Sequence, residues 1–120
     1  MVEDDIYSAL SPLVGGGEDA PVYPGVAPPE APTTRITYHW IGGKALNFLS
    51  GVPDKRNGRL QVDVWSDLDQ TAARLCRQVE DALRLDPILR AVTEGGAVSD
   101  HEPDTGLYAR KQSFSIWFTN

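Results

Sequence analysis

Residues 59–83, RLQVDVWSDLDQTAARLCRQVEDAL, change their hydrophobic period part-way along, and that change decides the fold. From Arg59 to Trp65 apolar and polar residues alternate, which puts Leu60, Val62 and Val64 on one face of a strand. From Ser66 onward the apolar residues recur at helical spacing. Leu68, Ala72, Leu75, Val79, Ala82 and Leu83 form one stripe about 100° wide. Ser66 offers a hydroxyl to the freed backbone N–H groups, and Asp67 and Asp69 suit the positive end of the helix dipole. Asp86-Pro87 ends the helix, because the residue before a proline is pushed out of helical geometry. This stripe must be buried against something, and the expected partner is the single apolar face of the last strand, Phe114, Ile116 and Phe118.

Working outward, Arg35 to Ile41 alternates as a second strand, with Ile36, Tyr38 and Trp40 on one face. Gly106 to Thr119 reads as the closing strand, with Tyr108, Phe114, Ile116 and Phe118 on one side. A weaker strand falls near Leu89 to Thr93. Glu94-Gly95-Gly96 reads as a turn, Ala97-Val98 as resumed pairing, and Ser99 to Thr105 as a polar loop. At the other end, Ile6, Leu10, Leu13 and Val14 give a short amphipathic helix over Val2–Val14, distorted near Pro12 and stopped by Gly15-Gly16-Gly17. Residues 20–32 are proline-rich and read as extended, with Val22-Tyr23 as a brief strand-like piece. Residues 42–58 lack periodicity and read as a flexible loop, Asn57-Gly58 being a strong turn dipeptide. The order predicts a single α+β domain: an antiparallel β-sheet flanked by two main α-helices.

The chain has 120 residues, a net charge of −6 and a sequence pI of about 4.7, so a dedicated nucleic-acid-binding role is disfavoured. One cysteine, Cys76, rules out an intrachain disulfide. No apolar run reaches the roughly 18–20 residues that span a bilayer. The acidic start, Met1-Val2-Glu3-Asp4-Asp5, does not read as a secretory signal. The expectation is a soluble protein that stays in the cell making it, or in a particle assembled there.

Catalytic chemistry finds little support. Around Gly43-Lys44 a phosphate loop would need glycine where Tyr38 stands and Ser or Thr where Ala45 stands. Cys76, at the edge of the helix stripe, reads as a small half-buried hydrophobe. Asp100-His101-Glu102-Pro103-Asp104 is the one crowd of potential metal ligands. An EF-hand loop counted from Asp100 would have Thr105 and Lys111 where Gly and Glu belong, so a solvated turn explains it better. His39 reads as a surface or satisfied histidine rather than a base. Trp40, Trp65 and Trp117 read as core, with interface packing as the alternative. No catalytic, metal or cofactor site is assigned. Lys44, Lys55 and Arg56 make the 42–58 segment locally basic, either as a solvated turn or as a contact loop for an acidic partner surface or passing DNA.

Three stretches carry a resemblance to a known family. They are Ile6-Tyr7-Ser8-Ala9-Leu10 with Leu13-Val14 and Val22-Tyr23-Pro24; Leu60-Gln61-Val62-Asp63-Val64-Trp65-Ser66 with Ala72 and Ala73; and Asp104-Thr105-Gly106-Leu107-Tyr108-Ala109-Arg110 with Phe114-Ser115-Ile116-Trp117-Phe118. In these the chain resembles the tail terminator (tail completion) proteins of long-tailed phages and prophages, related in fold to the lambda-type terminator. The proline-rich segment and the loop after Gly42 depart from that pattern. The resemblance implies a structural virion protein of the tail and neck, made in the host cytoplasm, and not an enzyme. It implies a homohexameric ring that sits on the tail tube protein, stops tube polymerisation and presents a surface to the head-completion (connector) protein. DNA would pass through the lumen without specific binding, and no cofactor or membrane is involved. Alternatives from other classes are another phage neck, head-completion or minor tail protein, a small metal-dependent enzyme or regulator using Asp100–Asp104, and a free-standing interaction domain.

Overall fold

The alternation at Leu60, Val62 and Val64 builds the central strand of a computed structural model that describes residues 2–42 and 55–119. The elements run α1 (Val2–Leu10), a 3₁₀ turn (Ser11–Val14), β1 (Val22–Pro24), β2 (Arg35–Trp40), β3 (Lys55–Ser66), α2 (Asp69–Leu85), β4 (Val92–Glu102) and β5 (Leu107–Thr119). The strands form one five-stranded sheet in the order β1-β2-β3-β5-β4. The α+β class and the flanking helices stand.

The sheet is mixed rather than antiparallel. β1 runs parallel to β2, while β2–β3, β3–β5 and β5–β4 are antiparallel. Antiparallel neighbours can be joined by a two-residue hairpin, whereas parallel ones need a crossover. Residues 25–34, with Pro28, Pro29 and Pro32, supply that return path. Pro21 has no N–H to give, but its carbonyl accepts from Ile36 N at 2.9 Å, and Gly25 N donates to Tyr38 O at 2.8 Å.

Both helices cover one face. α2 packs on β5 and β3 and touches β4. Ile6 and Leu10 of α1 join the same core as Ile36, Tyr38, Leu60, Val62, Val64, Leu75, Val79, Leu83, Phe114 and Ile116, while Tyr108 and Phe118 pack against it half-buried. Leu68 does not belong to the stripe: it is 61% exposed. Ser66 is fully buried at the end of β3, and its Oγ accepts from Leu68 N at 3.3 Å, so it closes the strand-to-helix turn rather than capping α2. At the other end Asp86 Oδ1 accepts from Ile88 N and Leu89 N at 2.9 Å each, which fixes the exit the Asp-Pro pair foretells.

Two segments read as loops are strand. β3 begins at Lys55, not Arg59, and Lys55–Gly58 pair with Thr119–Ile116. Gly58 is therefore no turn residue. The Trp40 ring lies on its backbone, where an added Cβ would overlap ring atoms and come 3.1 Å from Phe118 Cε1. The rest of the predicted loop, residues 43–54, lies outside the described residues. β4 likewise runs on to Glu102 through the stretch read as a polar loop. Between Glu94, opposite Ser113, and Val98, opposite Lys111, the register shifts, because residues 95–97 face Gln112 alone. Buried Gln112 donates its side-chain N–H to Gly95 O at 2.9 Å and so satisfies a carbonyl the bulge leaves unpaired.

Candidate assembly surfaces

The strands alternate, so every core residue has neighbours on the opposite, helix-free face. There the pairs Thr37–Asp63, His39–Gln61 and Asp63–Lys111 stand in register. Trp65 Nε1 donates to Thr37 Oγ1 at 3.1 Å, and Gln61 Nε2 donates to Asp63 Oδ1 at 2.9 Å. Lys111 lies 5.8 Å from the Trp65 ring centroid and 3.4 Å from an Asp100 carboxylate oxygen. Thr37 and Asp63 are buried although no helix among the described residues covers them. Gly25–Ala27 on one side and Glu102 on the other close a shallow groove over Thr37, Asp63 and Trp65, with Arg35 and His39 along it.

Strand geometry dissolves the Asp100–Asp104 cluster. Asp100 and Glu102 point to the helix-free face, while His101 points the other way and packs on Tyr108 with ring centroids 4.6 Å apart. His101 N–H and Lys111 hold the Asp100 carboxyl below the usual carboxylate range. Glu102 accepts from Thr105 Oγ1 at 3.1 Å, and its carbonyl accepts from Gly106 N at 2.8 Å, so it builds the β4–β5 turn. Among the described residues no group of three His, Cys, Asp or Glu is placed to hold a metal ion. Cys76 is buried in the core, and burial, with Glu80 adding to it, pushes its thiol pKa up, away from a reactive thiolate. On β2 burial, together with Glu3 and Asp4, raises the Tyr38 phenol above its ordinary value.

Of the predicted contact residues, Lys44 lies outside the described residues. Lys55 and Arg56 open β3, with their backbones paired to Thr119 and Phe118. They stand on a projection. β2 ends opposite Leu60 and β4 begins opposite Ser115, so among the described residues β3 and β5 continue beyond them as a two-stranded ribbon, joined by Ile41 and Gly42 backbone bonds to Arg59. Trp117 stands exposed on the ribbon's helix-free side. On the covered side Phe118 tilts against Trp40 at a centroid separation of 5.4 Å. The three tryptophans thus take three roles: Trp40 in packing, Trp65 in the polar network and Trp117 at the surface. Their identical strand alternation hides this, because the strand lengths either side decide what covers each ring.

A family model described as tail completion protein gp17 matches residues 6–119. Among solved structures, a chain from the virion of a native gene transfer agent particle superposes with a TM-score of 0.63 at 18% identity, covering 96% of this chain and 92% of that one. At that identity the likeness shows the fold. Two curated relatives are nicotinate-nucleotide–dimethylbenzimidazole phosphoribosyltransferases, from Mycobacterium avium (strain 104) and Mycolicibacterium paratuberculosis (strain ATCC BAA-968 / K-10). Each is 33% identical over 87 residues, a match spanning 66% of this chain and 25% of the relative. The chain thus spans about a quarter of the length of those enzymes.

Proposed function

We propose a terminating and joining role from one premise: the chain belongs to the tail completion protein gp17 family, which makes it a structural component of a phage-type tail. In this reading copies of the chain close into a homohexameric ring on the last ring of tail tube protein. The ring stops further tube growth and offers its other face to the head-completion protein. Activity is then an affinity difference between the tube's growing end and every other surface. The observation that carries the reading is the family match running through every element of the fold from α1 to β5.

Two features of the molecule support it. The helix-free face and the β3–β5 ribbon leave an accessible sheet surface and Trp117 outside the core, as a subunit needing several neighbours would. The basic segment holding Lys44, Lys55 and Arg56 would meet an acidic neighbouring surface, by attraction that salt screens. A net acidic ring suits a lumen through which DNA slides, since tight phosphate binding would obstruct ejection. Among the described residues no helix is long and apolar enough to cross a membrane.

The test is deletion of the gene in its particle system, followed by electron microscopy. Filled heads beside unjoined tail tubes of unregulated length are expected. Complete particles with normal tails would replace this reading with another neck or minor tail protein.

A further inference from the structure

Charge is segregated along this chain. Residues 1–34 contain six acidic residues (Glu3, Asp4, Asp5, Glu18, Asp19 and Glu30) and no Lys, Arg or His. The whole chain has 17 acidic and 11 basic residues, so the remaining 11 acids balance the 11 Lys and Arg, and the entire net charge of −6 belongs to the first 34 residues. The fold brings five of these six acids to α1 and the loop tied to it. Tyr7 Oη donates to Gly17 O at 2.8 Å and Glu18 O at 3.0 Å, which ties the Glu18-Asp19 loop to α1 and its acidic first turn. α1 begins over β2, near enough for Glu3 and Asp4 to act on Tyr38.

The outward face of α2 is the counterpart. α2 lies over β3, β5 and β4, toward the other edge of the sheet. Arg74 and Arg77 project from it exposed, and neither has an ion-pair partner among the described residues. About two turns further on, past the exposed Asp81, Leu85 is 81% and Ile88 66% exposed, so the same side of the helix ends in uncovered apolar surface. Arginine and apolar anchors together make a surface fit to bury against protein.

We infer that the acidic α1 side of one copy docks on the Arg74–Arg77–Leu85–Ile88 face of α2 in the next copy. This rests on the ring reading above and adds which faces meet. The two surfaces differ, so the contact is head-to-tail and repeats from subunit to subunit until the ring closes. Like faces repel, which disfavours the isologous dimer that would stop growth.

The experiment uses full-length chains at low salt, alone and on purified tail tubes, with self-association read by sedimentation and chemical cross-linking. Arg74→Glu with Arg77→Glu should weaken association tenfold or more, and so should Glu18→Lys with Asp19→Lys. Both pairs are exposed, so unchanged melting temperatures check the fold. Mixing the two variants one to one should restore assembly, because each swapped face then meets an opposite charge on its neighbour. Wild-type chains that never associate, even on tubes, would overturn the ring reading and this contact together. Wild-type association that both variants retain, or a mixture no better than its parts, would overturn this contact and leave the ring standing.

Discussion

The two faces of the sheet are made from alternate residues of the same strands, yet they hold their shape by different means. The covered face joins Leu60, Val62, Phe114 and Ile116 to the stripe of α2, and its cohesion comes from apolar area removed from water, about 25 cal/mol per Å². The helix-free face relies on directional bonds: Trp65 to Thr37, Gln61 to Asp63, Lys111 to Asp100. Each of the first two is worth about 0.5–1.5 kcal/mol net, and the exposed Lys111–Asp100 pair is screened by solvent. The contrast separates two tasks. The covered face keeps the chain folded, and in the proposed ring the bare face and its ribbon are left for neighbours.

Leu75→Ala tests the first task hardest. Leu75 is buried, so the loss should be about 2–5 kcal/mol in denaturant unfolding. An unchanged midpoint would break the division of labour outright. Gly58→Ala comes next, at about 1–3 kcal/mol, because the new methyl group must displace Trp40. Trp40→Leu should remove much of that cost, so the two substitutions should fail to add in a double-mutant cycle. On the bare face Trp65→Phe keeps a ring and deletes the N–H. A loss of about 0.5–1.5 kcal/mol is expected, and a loss rivalling that of Leu75→Ala would erase the contrast.

The smallest effect is at Asp100. Its folded pKa is depressed, so its stabilising contribution is complete above the ordinary carboxylate pKa and disappears as pH falls through the lower folded value. An NMR titration should place its carboxyl below the usual range, and Lys111→Ala should move it upward. An unmoved titration would show that Lys111 does not reach across the strands.

Legibility in the sequence follows the same division. The change of period at Ser66, the stripe ending at Leu83 and the Phe114-Ile116 alternation were readable, because local periodicity reports burial against one partner. Leu68 fits that periodicity and still lies in water, since α2 starts only at Asp69. Asn57-Gly58 carries turn chemistry, but the ring covering Gly58 comes from Trp40, across the neighbouring strand, and no local window contains it. The parallel β1 depended on the path of residues 25–34, which proline content leaves open. The site was less legible than the fold. Lys55 and Arg56 read as loop residues and stand on a strand, while Thr37, Asp63 and Trp65 meet only because β2 and β3 pair in this register.

The bulge in β4 has a consequence for how this chain tolerates changes of length. Residues 95–97 face the single residue Gln112, so β4 carries two residues more than its partner there, an even number. Side chains on a strand change sides with every residue, and an even surplus leaves that parity intact. Val98, Asp100 and Glu102 therefore keep the side they would have in an unbroken ladder. Removing two residues from Gly95–Ala97 would shorten the molecule without turning anything over. Removing one would send Asp100 and Glu102 toward the helices and bring His101 round to the opposite side, so odd changes in length at this point are the ones the fold forbids.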